Sequence, residues 1–234
     1  MVVVVIARGL MRTPVYSENK FHGARTSDIE DVVMMLRGKV APSWDGPGSL
    51  PLFATGFSMG GIVISNYLAR SGVNCELMGA VSISGCANAN INSKFEYSRR
   101  VWQPLVAYEL KKQFILPDLS HLRTVDRIDA DHILSNCSSI YDFDCHMVAP
   151  YHKYRDVTHY YNDMSFCCEQ KWKGVARPLI VLQARDDPLV DIDSFPIGVT
   201  HFNKDIIYVI TEGMNFLPLI HGVDCSFVFL ILKS

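Results

Sequence analysis

Ser58 is the residue of this chain best placed to do chemistry. It sits at the centre of Gly56-Phe57-Ser58-Met59-Gly60, with an apolar run from Leu52 before it and an apolar-periodic stretch after Gly61. Strand, G-x-S-x-G turn and helix together make a nucleophile elbow. The turn is so tight that small residues are needed two before and two after the serine. A serine hydroxyl is a weak nucleophile at neutral pH. It needs a base, usually His, and the base needs an orienting carboxylate. In this arrangement the chain order is Ser, acid, His. Asp187 is the favoured acid, because it follows the apolar run Pro178–Leu182 and precedes Pro188, where a carboxylate can project over a sheet edge. Its neighbour Asp186 is the rival, read as a solvated or loop-holding residue. The base should lie just after the apolar run Ile206–Ile210. That loop, Thr211 to Phe216, contains no His. His221 follows it and is the candidate base if the tail folds back, while His201 precedes the run; the plainer reading of both is a surface or packing role. The N–H of Met59 is the expected oxyanion donor. A second donor should come from an H-G loop after an earlier strand, but the one literal match, His22-Gly23, reads as ordinary loop.

Two other clusters carry less. His121 to Asp126 matches an H-x-x-x-x-D acyltransferase pattern by letter only. His132, Cys137, Asp142, Asp144, Cys145 and His146 follow no metal-ligand spacing. No metal and no cofactor are expected, since serine hydrolysis requires neither.

These side chains need a scaffold. The 234 residues fit a single domain, residues 1–234, and 49% apolar content is enough for a sizeable core. A net charge of −2 argues against nucleic acid as a partner. No stretch approaches the roughly 20 apolar residues of a membrane-spanning helix. Seven cysteines, an odd number with no C-x-x-C spacing, point to reduced thiols and an intracellular face. Met1 to Ile6 is β-branched throughout and predicts a strand buried on both faces. A helix from about Asp28 to Leu36 follows, capped by Thr26 or Ser27, then the elbow strand, a helix from Gly60 to about Arg70, and a strand from Leu77 to Ser84. Strands return at Pro178–Leu182 and Ile206–Ile210. The order predicts an α/β fold with a mostly parallel, doubly wound sheet. Between residues 88 and 173 helical periodicity dominates, and this stretch reads as a helical insertion forming a lid over the serine.

The chain resembles the YheT-like, embryogenesis-associated branch of the α/β-hydrolases, which includes the animal abhydrolase-domain proteins 1, 2 and 3. The matching pieces are Ala7-Arg8-Gly9, Ser27-Asp28-Ile29-Glu30-Asp31, Gly56-Phe57-Ser58-Met59-Gly60-Gly61, Asn66-Tyr67-Leu68, Tyr141-Asp142-Phe143-Asp144, Tyr160-Tyr161 and Pro178 through Asp186-Asp187-Pro188. The resemblance implies an α/β-hydrolase fold and hydrolysis of carboxylic esters, often acylglycerols or phospholipid acyl chains. It implies Ser58 as nucleophile and Asp187 as acid. The family histidine falls on Asn215, so this sequence lacks it at that position. The family's early strands, its oxyanion loop and its frequent membrane anchor lie upstream of the matched region. The tail from Gly222 to Ser234 resembles nothing in the family, and both ends read as truncated or divergent, with the sheet incomplete on its N-terminal side. The expected partner is a small ester or lipid, with a membrane surface reached through a lipid substrate. The alternative is a catalytically impaired relative or fragment that binds a lipid or a protein.

Overall fold

Early apolar runs become strands β1 (Val2–Val5) and β2 (Leu52–Phe57), with helix α1 (Ser27–Lys39) between them. Helix α2 (Met59–Ser71) starts directly after the elbow, and β3 (Gly79–Ile83) follows. The computed structural model describes residues 2–10, 13, 19–40, 42, 50–196, 198, 203–213 and 228–232. Next come the helices α3 (Ala89–Asn92), α4 (Glu96–Val101), α5 (Gln103–Leu110), α6 (Leu119–Leu122) and α7 (Ala130–Asn136). They are followed by α8 (Ile140–Phe143), α9 (Ala149–Tyr151), α10 (Val157–Met164) and α11 (Glu169–Gly174). Strands β4 (Leu179–Ala184), β5 (Ile206–Thr211) and β6 (Val228–Leu232) complete the described elements.

The sheet runs β1-β6-β2-β3-β4-β5. Strands β2 to β5 are parallel, with Phe57 opposite Ile83 and Ile83 opposite Leu182. Strand β6 lies antiparallel between β1 and β2. One expectation is corrected here. β1 is an edge strand with exposed Val2 and Val4, not one buried on both faces. β-Branched residues suit any pleated surface, so their run marks a strand without fixing its cover. The tail adds a strand for which the sequence reading has no expectation. Val228-Phe229-Leu230-Ile231-Leu232 is a strand-like apolar run, and it pairs on both sides. The other elements lie within a few residues of their expected bounds. Strand β4 runs on through Gln183 and Ala184, both fully buried. Thr26 is the residue that precedes α1, but its side chain makes no capping bond.

Helix α2 is the pivot of the core. Every residue from Gly60 to Leu68 is buried, as expected of a helix apolar all round. It packs on β2 and β3 and is flanked by α1, α10 and α11. Gly72, at φ 53°, ends it by donating its N–H to the Leu68 carbonyl. A second, separate core of Ile115, Leu122, Ile133, Phe143 and Met147 lies within the helices between β3 and β4.

Asn66 fastens α2 to those helices. Its side chain is fully buried and donates to the carbonyls of Ile62 (3.0 Å) and Met164 (2.7 Å). Lys171 of α11 donates to Asn66 Oδ1 at 2.7 Å, to the Ser165 carbonyl at 2.7 Å and to the Asp163 carbonyl. Replacing this ammonium by an isosteric apolar chain strands three acceptors, each costing about 1–3 kcal/mol if it stays dry. We therefore expect Lys171→Met to lower unfolding stability by roughly 3 kcal/mol, measured by urea denaturation at constant m-value.

Candidate active site

The sharp turn predicted around Ser58 exists. Ser58 has φ 48° and ψ −118°, a left-handed backbone that L-residues rarely adopt. Such a conformation costs on the order of 1–3 kcal/mol and persists only where surroundings over-determine it. Here the Ser58 N–H donates to the Ile83 carbonyl at 2.8 Å, while its own carbonyl accepts from Gly61 (2.9 Å) and Ile62 (3.2 Å). Gly56 is required by the same bend, because a Cβ there would lie 2.3 Å from the Gly60 carbonyl oxygen. Ser58 itself is half-buried at the C-terminal end of β2. The first bonded donors of α2 are Gly61 and Ile62. The N–H groups of Met59 and Gly60 therefore stand ahead of the helical ladder, at the end that favours negative charge.

Asp187 follows β4, and β4 and β2 are parallel with β3 between them. Serine and carboxylate thus share one sheet edge, on strands roughly 10 Å apart. Asp187 is 4% exposed. Its Oδ1 accepts from the N–H groups of Leu189 (2.9 Å) and Val190 (3.0 Å). Its Oδ2 is buried and has no hydrogen-bond partner among the described residues. Asp186 is exposed and lies beside Gly213. Burial and fixed orientation thus distinguish Asp187 from Asp186. Asn215, His221 and His201 lie outside the described residues.

The structure adds residues that sequence reasoning set aside. The loop carrying His22-Gly23 packs against the elbow: a Cβ on Gly23 would lie 2.6 Å from Met59 Sδ. The Gly23 N–H is taken, donating to Tyr160 Oη at 3.1 Å, so it is no free oxyanion donor. His22 enters a cavity of about 80 Å³ that Met59 also lines. Phe21, Phe114, Met147 and Tyr160 make much of its wall, and Lys20, Asp144 and His152 complete the polar part. The cavity lies at the seam between the main core and the second one. The rings of His22 and His152 are 4.2 Å apart. Burial, helped by Arg25, lowers the His22 pKa to about 4. Burial and the neighbouring His22 lower His152 to about 3. Both imidazoles are neutral at pH 7. Asp144 is buried, with Tyr161 donating to its Oδ2 at 2.9 Å, and desolvation raises its pKa to about 7. The signal for Asp144 was present in the Tyr141–Asp144 match; nothing in the sequence signalled the His22–His152 contact.

The other two clusters lie among the helices between β3 and β4. His121 and Asp126 sit in and after α6, among the helices. His132 and His146 have rings 4.8 Å apart, but among the described residues no group of His, Cys, Asp or Glu could hold a metal ion. No described helix is long and apolar enough to cross a membrane.

The chain is similar to known proteins along nearly its whole length. The chain is 27% identical over 240 residues to phospholipase ABHD3 of Mus musculus, covering 99% of this chain and 55% of that protein. It is 25% identical over 232 residues to the embryogenesis-associated protein EMB8 of Picea glauca, covering 96% and 48%. It is 23% identical over 230 residues to an abhydrolase domain-containing protein of Dictyostelium discoideum, covering 95% and 54%. The chain has the α/β-hydrolase fold. No family model matches it. It spans about half the length of these curated relatives. Within that fold it has the strand, turn and helix around Ser58 with their strained geometry.

The buried Asp144 carboxyl has a consequence for stability. Its folded pKa lies above its ordinary value near 4, so between about pH 4 and 7 the folded state holds a proton that the unfolded state has released. Its contribution to stability is full below that window and falls as pH rises through it. Asp144→Asn removes this term while leaving an acceptor for Tyr161. Urea unfolding at pH 5 and pH 8 should show the variant gaining on the wild type by roughly 2–3 kcal/mol at the higher pH.

Proposed function

We propose that this chain is a serine hydrolase of carboxylic esters, acting on lipid esters of the acylglycerol type. The observation that carries the reading is Ser58, held at φ 48° on the same sheet edge as a buried Asp187 with one oxygen unpartnered among the described residues. A carboxylate placed to accept one more hydrogen bond is what a catalytic imidazole needs to fix its tautomer. Ser58 Oγ attacks the ester carbonyl as its proton passes to that imidazole. The Met59 N–H stabilises the oxyanion, and the protonated imidazole then gives the proton to the departing alcohol. Water releases the acyl group by the same route in reverse. The base in this reading is His221, or a histidine of a longer chain of which these residues are part. The apolar cavity beside Met59 receives the acyl chain, and the helices between β3 and β4, within the predicted insertion 88–173, form the lid. Relatives named phospholipase and monoacylglycerol lipase support the choice of lipid esters.

A second reading rests on Asn215 standing where the family has its histidine. On that reading the chain binds lipid or protein without turnover.

A fluorophosphonate probe on the purified chain separates the two. We expect wild type to label and Ser58→Ala not to. Asp187→Asn should cut hydrolysis of a short p-nitrophenyl ester by about 10³–10⁴-fold in kcat, and His221→Asn by a comparable factor. No labelling of wild type, together with retained lipid binding, would establish the second reading instead.

A further inference from the structure

A parallel sheet is normally covered on both faces. Here one face stands open along the described strands. Helix α2 lies on the face of Gly56 and Ser82, since a Cβ on Gly56 would strike Gly60 and one on Gly61 would strike Ser82 Oγ. The alternate residues of each strand point the other way, and there large apolar side chains meet solvent. In β2, Leu52 and Ala54 are buried while Phe53 is exposed; in β4, Leu179 and Val181 are buried while Ile180 is exposed. In β5, Ile206 is buried, whereas Ile207 is 50% exposed and Val209 also meets solvent.

The register makes these positions one surface. A single row crosses all six strands through Val4, Phe229, Thr55, Val81, Ile180 and Ile207. A second row, Phe57, Ile83, Leu182 and Val209, runs beside it toward the elbow. Neither row holds a charged residue, a tyrosine or a tryptophan. Charged residues begin past the strand ends, with Arg185 and Glu212 paired at 3.1 Å at one end and exposed Lys204 at the other.

These features say what covers the face. It offers no charge for a nucleic acid, an acidic peptide or a lipid headgroup to select, and no Tyr or Trp belt to sit at a bilayer surface. An apolar centre with charges at its margin is the anatomy of a protein–protein interface. Six strands about 4.8 Å apart and about five residues long cover roughly 450–500 Å² in plan, a larger apolar patch than monomers commonly leave open. Two such faces together bury on the order of 1,000 Å², the size at which a specific interface begins. The surface that matches this one in extent, apolarity and twist is the same face of a second copy. Sheets of like twist stack about 10 Å apart with their strands within about 30° of one another, and a two-fold axis closes the contact at two chains.

We propose that the chain forms a two-fold dimer through this face, sheet against sheet. Phe57 directly precedes Ser58, and the Ile83 carbonyl accepts the Ser58 N–H. A copy seated on that row braces the strand ends that hold the strained turn. The contact makes and breaks no covalent bond, so it holds whether or not Ser58 is catalytic.

The test is sedimentation equilibrium of the purified full chain from about 1 to 100 μM. We expect monomer to give way to dimer across that range, and a thermal melt that rises with concentration. Ile180→Glu with Ile207→Lys places an ion pair at two positions directly opposite in the register. Such a pair is tolerated on a wet surface and costly in a dry interface, so the dimer dissociation constant should rise at least about tenfold. Ile207→Thr with Val209→Thr keeps β-propensity and adds no charge. It should weaken the dimer about tenfold, and it serves where the charged variant does not fold. A wild type that stays monomeric at the highest concentration would overturn the proposal, and so would unchanged dimer affinity in the folded variants. Flotation of a monomeric wild type with phosphatidylcholine vesicles would assign the face to lipid and likewise overturn it.

Discussion

The fold depends on one backbone angle. Ser58 can hold a left-handed conformation because the chain on either side cannot move. Strand β2 is paired on both edges, and α2 is buried from Gly60 to Leu68. The hydrogen bonds at the Ser58 N–H and carbonyl lock the bend between these two elements. Strain of this kind is normally relieved by local rearrangement. Relief here would mean sliding a fully buried helix or unpairing a central strand. The cost of the turn is therefore borne by the core, and the hydroxyl is presented at a fixed place above the sheet.

A similar logic applies to the polar groups beside the elbow. Lys171, Asn66, Asp144, His22 and His152 all sit where the helices between β3 and β4 meet the main core. Some are fully satisfied, as Asn66 is by two carbonyls and an ammonium. His22 and His152 are held in their neutral form by burial, and burial makes Asp144 harder to ionise. The seam is thus a polar layer between two apolar cores, which fixes how the two stack, and the one ammonium lining the cavity, Lys20, is paired with Asp118 at 2.7 Å. That arrangement is available only because the second core is self-contained, formed by Ile115, Leu122, Ile133, Phe143 and Met147 among themselves.

Much of this was legible from residues. Glycine spacing around Ser58 announced the turn, because only small side chains permit it, and a Cβ at Gly56 would strike the Gly60 carbonyl. Period and turn residues gave α1, α2, β3, β4 and β5 to within a few positions. Asp187 was singled out over Asp186 by its place before a proline; of the two, Asp187 is the buried one. Other features were not legible, for definite reasons. The cover of a strand is a property of its neighbours, so the exposure of β1 could not be read from its valines. The partner of β6 is far off in the chain. The meeting of His22 with His152 joins a loop near the start to one more than a hundred residues later, with no spacing to reveal it.

The placement of β6 also has a bearing on how the molecule comes to be made. Leu52 of the elbow strand pairs with Leu232, some 180 positions downstream. On the ribosome, β2 and β3 can dock as soon as both have emerged, but the other edge of β2 must wait for nearly the whole chain. Contacts of such long range are slow to close, and an unpaired central strand is exposed to mispairing in the meantime. Nascent chains of this protein therefore pass through a stage in which the strand bearing the strained serine has one raw flank. Folding helpers that shield such flanks would act on it at that stage.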